Sequence, residues 1–170
     1  DAIVLLRASY RFDSGSGIGT LARAVNSGNE GALARLLGAG SPDLHLEEPD
    51  TPAASTWLRQ TVEGLFAPVF AAASPQGARQ ALEHGRILCA LRDGPSGVEG
   101  LNRLAESVFR RQGSIPPGQD RYRGLPVMVL QNDYTLGLFN GDTGVLWPDE
   151  DGTLQAWFPQ EGGGPRPVAP

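Results

Sequence analysis

Apolar residues recur along the chain with two different periods, and the change of period divides it. Over the first two-thirds the spacing is helical. Ile18, Leu21, Ala22 and Val25 fall on one face of a helix that Gly28 stops. Asn29 caps a second helix, which carries Leu33, Leu36 and Leu37 and ends at Gly38. Thr51 and Pro52 open a third, with Trp57, Leu58, Val62, Leu65 and Phe66 as its stripe and Pro68 as its end or kink. Ser74 and Pro75 repeat that start signal for a helix reaching about His84. A fifth stripe is formed by Val98, Leu101, Leu104, Ala105, Val108 and Phe109, and Ser96 and Glu99 before it have capping-box spacing.

Two runs in this region are short and uniformly apolar. IVLL at 3–6 and RILCALR at 86–92 therefore read as buried strands, the second of them parallel. Beyond about residue 115 the period shortens to two. QGSIPPGQDRYRG is linker-like, PVMVLQ at 126–131 is a strand, and NDYTLGLFNGD at 132–142 is a loop ending in an Asn-Gly turn. TGVLW and LQAWF make a hairpin across PDEDG. Short strands packed this closely suggest a small SH3-like β-barrel. Phe139 reads as barrel core because it follows Leu136 and Leu138, whereas Tyr134 suits either core or an exposed stacking position. EGGGPRPVAP at 161–170 has no pattern and is expected to be a disordered tail or a cut end.

Composition narrows the class. At 170 residues, with 40% hydrophobic and 19% charged, the chain has material for one domain or two small ones. No apolar run approaches the roughly 20 residues of a spanning helix, and no signal-peptide pattern opens the sequence, so no membrane partner and a cytoplasmic location are expected. The single cysteine, Cys89, excludes a disulfide framework and a cysteine zinc site. The net charge is −5, yet seven arginines face four acids between Arg86 and Arg123. All 14 basic residues are arginine. A P-loop needs its lysine, so this polypeptide contains none and is not a complete P-loop ATPase.

Two stretches carry candidate chemistry. In RASYRF, Arg11 lies between Tyr10 and Phe12, just after the first apolar run and before DSGSGIG, a glycine-serine stretch able to wrap an anion. The second is RILCALR–DGPSG–helix: a strand, a glycine loop and a helix N-terminus whose free N–H groups at Gly97 and Val98 suit a phosphate, with Asn102 one turn further. The same pattern also serves as a plain strand-to-helix turn. Asn132, Asp133, Tyr134 and Asn140 lie in the later loops, where Tyr134 or Phe139 has a face for a base. The two histidines, His45 and His84, with the carboxylate pair Glu47 and Glu48 raise the reading of a metal-dependent nuclease. LHLEE sits in a loop without a third ligand cluster, and the nuclease reading is rejected.

RASYRF with SGIGTLARAVNSG, ILCALRDGPSGVEGLNR and GLPVMVLQNDYTLGLFNGDTGVL together resemble three successive signatures of the RecD family, the alpha subunit of bacterial exodeoxyribonuclease V and its superfamily 1 helicase relatives. The resemblance covers roughly residues 3–147 in the family's order. It implies an α/β fold, part of a second RecA-like motor domain over 1–115 with an inserted SH3-like module over 116–160. It also implies a fragment, with the Walker lysine before Asp1 and the closing helicase motifs after Pro170. Arg11 matches the arginine that meets the ATP γ-phosphate, where a guanidinium stabilises charge on the transferring group; Arg7 is the poorer candidate. ATP and magnesium belong to the parent protein, and none is expected on the fragment, which should be inactive alone. The implied partners are single-stranded DNA, touching Gly97, Val98, Asn102, Asn132, Tyr134 and Asn140, and the other exodeoxyribonuclease V subunits. The function implied is translocation in double-strand break repair and recombination. A non-catalytic SH3-like module that binds protein is the alternative.

Overall fold

A computed structural model describes residues 13, 15–48, 51–160 and 164–168. The apolar run at 3–6 and Arg11 lie outside the described residues. The chain divides into two compact units, 1–54 and 55–170.

Among its described residues the first unit contains a helical pair. Helix α1, Gly17–Asn26, is capped by the Ser16 hydroxyl, which accepts from Gly19 N at 3.0 Å. Helix α2, Glu30–Ala39, is capped by Asn29, whose Oδ1 accepts from Ala32 N at 2.9 Å. It passes through Gly38 and stops at Gly40, where the backbone takes φ 72°. Glycine takes that positive φ without the penalty a Cβ would add.

Helix α3, Pro52–Ala71, starts as its sequence signal requires, Thr51 Oγ1 accepting from Ala54 N at 3.0 Å. It does not end at Pro68, which lies inside it. The reason is tertiary. Val69, the next residue, is 1% exposed and packs with Ala78, Leu82, Val145 and Trp147, so the last turn is held by burial that a proline's missing N–H does not outweigh. Helices α4, Pro75–Leu82, and α5, Val98–Arg111, complete the helical part of the second unit.

Strands β1, Pro126–Met128, β2, Thr143–Pro148, β3, Leu154–Phe158, and β4, Arg166–Val168, form one antiparallel sheet in that order. Alternation along β2 gives it two buried faces. Val145 and Trp147 pack on Val69, Ala78, Ala81 and Leu82, while Leu146 joins Leu138, Ala156 and Phe158. The sheet is open among the described residues, with β1 and β4 as its edges.

Three sequence-based expectations are corrected. Residues 166–168 of the tail form β4, because Val168 lies opposite Ala156 and packs on the Leu138–Phe158 cluster. The stretch 112–124 is not a linker: Ile115 (1% exposed) and Tyr122 are buried with Val62 and Phe109, so the boundary expected near 115 falls inside the second unit. Residues 86–91 pair with no strand among the described residues; Ile87 packs inward on the Val62 cluster, but Leu88 is 91% exposed. A parallel strand is held by neighbours on both sides, and here none is described.

Candidate nucleic-acid interface

The loop before α5 wraps over the start of that helix. Val98 N donates to Leu91 O at 3.1 Å, Glu99 N to Arg92 O at 3.1 Å and Gly97 N to Gly94 O at 3.2 Å. The N–H groups of Gly97 and Val98, expected to be free, are therefore bonded to the loop's own carbonyls. They also replace the expected capping box: the N-cap is Gly97, and no side chain caps the helix. Glycine is required by this wrapping. A Cβ on Gly100 would stand 2.3 Å from Gly94 O, and one on Gly97 2.3 Å from Asp93 O.

What the helix start does offer is a cleft of about 240 Å³, into which Val98 and Asn102 face together with Arg86, Ile87 and Cys89. Pro126, the first residue of β1, and Thr143, the first residue of β2, line its other side. Asn102 also lines a neighbouring cavity of about 260 Å³ that runs in among Phe66, Phe70 and Phe109. Its side-chain amide makes no hydrogen bond among the described residues, so both donor and acceptor remain for a ligand.

The arginine-rich segment serves structure and surface in turn. Arg110 donates to Pro116 O at 2.6 Å and Gln119 O at 2.8 Å, and stands 5.9 Å from the ring centre of Tyr122. Burial, with the Glu106 carboxylate beside it, pushes the Tyr122 hydroxyl up to about 12. Arg123 is likewise committed, to Phe70 O and Ala72 O. Arg92 and Arg103 share Glu99 at 3.9 and 3.7 Å on the exposed face of α5, and Arg111 and Arg121 are exposed. Of the segment's seven arginines, Arg86 is the one that lines the cleft.

The other candidate residues lie on the connection between β1 and β2. Asp133 and Leu138 exchange backbone bonds at 2.7 and 2.9 Å, and Tyr134–Gly137 make the turn between them. Asn140 and Gly141 form a second turn, closed by Asp142 N to Phe139 O at 2.9 Å. Polar side chains fix this geometry: Asn132 Oδ1 accepts from Asn140 N, Asp133 Oδ1 from Leu136 N and Asp142 Oδ2 from Phe139 N. Leu138 is buried, whereas Tyr134 is 79% and Phe139 50% exposed. Phe139 is thus not core: the second turn swings it outward, where it meets Tyr134 edge-on at 6.2 Å. Asn132 is turned to the Tyr134 hydroxyl at 3.2 Å, while the Asn140 side chain has no partner among the described residues.

The glycine-serine stretch does hold an anion, but one supplied by the chain. Asp43 accepts from Gly17 N at 3.2 Å and Ile18 N at 3.1 Å, placing a carboxylate on the N-terminus of α1. The Ser41 hydroxyl, then the Ile18 N–H, hold its carboxyl below the ordinary carboxylate value. Neither Gly17 nor Gly19 has room for a side chain there, a Cβ on the first falling 2.3 Å from Ser41 Oγ and on the second 2.5 Å from Asp13 O. His45 Nε2 lies 2.7 Å from Glu47 Oε1 in an exposed pair, and no group of three His, Cys, Asp or Glu side chains converges among the described residues. No described helix is long and apolar enough to cross a membrane.

Arg86 is the cleft residue that the sequence pattern missed, because only the return of the chain through Pro126 and Thr143 turns its neighbourhood into a concavity. No family model matches the chain. Curated relatives do. Over 150 residues it is 37% identical to the RecBCD enzyme subunit RecD of Mycobacterium tuberculosis, covering 86% of this chain and 25% of that protein. The RecD subunit of Mycolicibacterium smegmatis is 37% identical over 151 residues, covering 86% and 26%. That of Haemophilus influenzae is 29% identical over 167 residues, covering 85% and 26%. The chain spans about a quarter of the length of these relatives.

Proposed function

We propose that this chain, which belongs to the RecD family over the part it spans, is a portion of an ATP-dependent DNA helicase subunit of the RecBCD type and contributes to its track for single-stranded DNA. The observation that carries the reading is the cleft at the start of α5. Asn102 presents an uncommitted amide there, Arg86 a cation, and Val98 an apolar surface. A strand of phosphates and bases needs that combination of donors, charge and apolar faces. Gly97 acts on backbone shape, letting the 91–95 loop lie against the helix. Asn102 and Val98 take the contact, and further along Tyr134 and Asn140 extend it, with Asn132 fixing their loop.

On this reading the helices before the sheet belong to a RecA-like motor domain and the open sheet to an SH3-like module packed on α3 and α4 with no boundary at residue 115, whose β1–β4 order is that of a meander. The other exodeoxyribonuclease V subunits are the protein partners, and repair of double-strand breaks is the process. A protein-binding module without DNA is the weaker reading, since the relatives are named as subunits of an enzyme.

Mg–ATP is assigned to the longer protein. The N-terminus of α1, at the glycine-serine stretch, holds Asp43. Arg11, by its resemblance to the family's arginine, is the residue of this chain that meets the γ-phosphate. The test is Arg11→Ala in the longer protein. DNA-stimulated ATP turnover should fall by roughly 10³-fold or more while nucleotide affinity stays near normal. The isolated chain should show no turnover. Unchanged turnover in the variant would remove Arg11 from catalysis, and turnover by the isolated chain would refute the fragment reading.

A further inference from the structure

The hairpin between β1 and β2 poses a charge problem for the DNA reading on which this inference rests. From Gly124 to Pro165 the chain has six acidic residues and no lysine or arginine. Aromatic rings alone stack on bases, but a single strand is held chiefly through its phosphates, which call for a cation. The topology supplies one from outside that segment. Strand β4, in the stretch that the sequence pattern leaves unstructured, pairs with β3 so that Arg166 stands opposite Phe158. From there its guanidinium reaches the hairpin turn: a Cβ built on Gly137 would lie 3.9 Å from Arg166 Nη2. Gly137 takes φ 57° in the same turn that holds Tyr134.

We propose that Arg166, Tyr134 and Phe139 form a nucleotide subsite at this turn, the guanidinium taking a phosphate of single-stranded DNA and the exposed aromatic pair taking a base. Arg166 is the sole basic residue between Gly124 and Val168. It makes no ion pair among the described residues, and the two carboxylates of the hairpin, Asp133 and Asp142, accept from Leu136 N and Phe139 N rather than from Arg166. Its charge is therefore uncommitted. The two rings, edge to face at 6.2 Å, are held by a loop that Asn132, Asp133 and Asp142 brace through its own backbone, which leaves the aromatic faces preorganised and outward. Arginine suits the position better than lysine because its planar fork binds phosphate oxygens two at a time.

The experiment is a titration of the chain with oligothymidylate at several salt concentrations, following affinity and its dependence on salt. Arg166→Gln should weaken binding about three- to tenfold and make the slope of log affinity against log salt shallower by about 0.7, the value for one phosphate contact on a single strand. Arg166→Lys should restore the slope and only part of the affinity. Tyr134→Ala should weaken binding with the slope unchanged, since stacking releases no counterion. Melting temperatures should stay at the wild-type value throughout. If wild type binds and Arg166→Gln matches it in affinity and slope, the subsite is overturned and the α5 cleft stands. A variant that loses affinity and melting temperature together at an unchanged slope also overturns it, by making Arg166 structural. Failure of the wild-type chain to bind would overturn the DNA reading itself.

Discussion

The guanidinium of Arg123 lies 3.9 Å from the ring centre of Trp147 while its two terminal nitrogens donate to Phe70 O, at 3.0 Å, and to Ala72 O. One side chain thus caps the C-terminal carbonyls of α3 and stacks on β2, tying the helix to the sheet. Lysine keeps the charge but cannot lie flat on the indole and serve both carbonyls. Arg123→Lys should lose about 1 to 2 kcal/mol of stability and Arg123→Ala somewhat more. Urea midpoints would check this, and equal midpoints for all three proteins would dismiss the latch.

Asp43 on the N-terminus of α1 gives the first unit a pH dependence. Its carboxyl titrates below the ordinary aspartate value in the folded chain, so its contribution is fully present above that ordinary value. It is lost as pH falls further, through the lowered folded value. Asp43→Asn should therefore reduce the helicity of the first unit at neutral pH and differ little from wild type in strong acid. Circular dichroism across pH reads both, and a difference that persists undiminished in acid would assign the effect to packing.

Gly100 lies inside a helix, where alanine ordinarily stabilises by about 1 kcal/mol. Here a Cβ would stand 2.3 Å from Gly94 O and 2.4 Å from Pro95 O. Gly100→Ala should instead destabilise, by about 1 to 3 kcal/mol, and displace the loop that covers the helix start. A calorimetric melting point raised rather than lowered would show that the loop does not need this close approach.

How much of this was legible in the sequence follows from the range of each interaction. The caps at Asn29, Thr51 and Ser74 bond within a few residues, and each starts a helix where the pattern places it. Residues 143–148 and 154–158 alternate locally and form the expected hairpin. What failed was decided at long range. Pro68 stays helical because Val69 meets β2, and β4 exists because β3 offers an open edge. The site divided the same way. Asn102 is exposed on α5 as its helical position suggests, but the free N–H groups of Gly97 and Val98 vanish once the loop carbonyls fold over them. Arg11 is the one candidate outside the described residues, and its role rests on resemblance.

The burial of Ile115 offers a direct check on the second unit. A linker residue tolerates truncation, whereas Ile115 at 1% exposure packs with Val62, Phe109 and Tyr122. Ile115→Ala should cost about 2 to 5 kcal/mol. It should also open the 112–124 stretch to proteolysis. A loss below about 0.5 kcal/mol, the range of ordinary surface changes, would return that stretch to the status of a linker.

The central claim is that single-stranded DNA runs along the α5 cleft and on to the β1–β2 hairpin, and hydrogen exchange of the chain with and without saturating oligothymidylate tests it most directly. The account predicts slowed exchange over residues 97–102 and 130–139, with the protection at 97–102 reduced in Asn102→Ala and the rest of the sheet unchanged. Protection confined to other segments, or a pattern identical with and without the oligonucleotide at low salt, would contradict it.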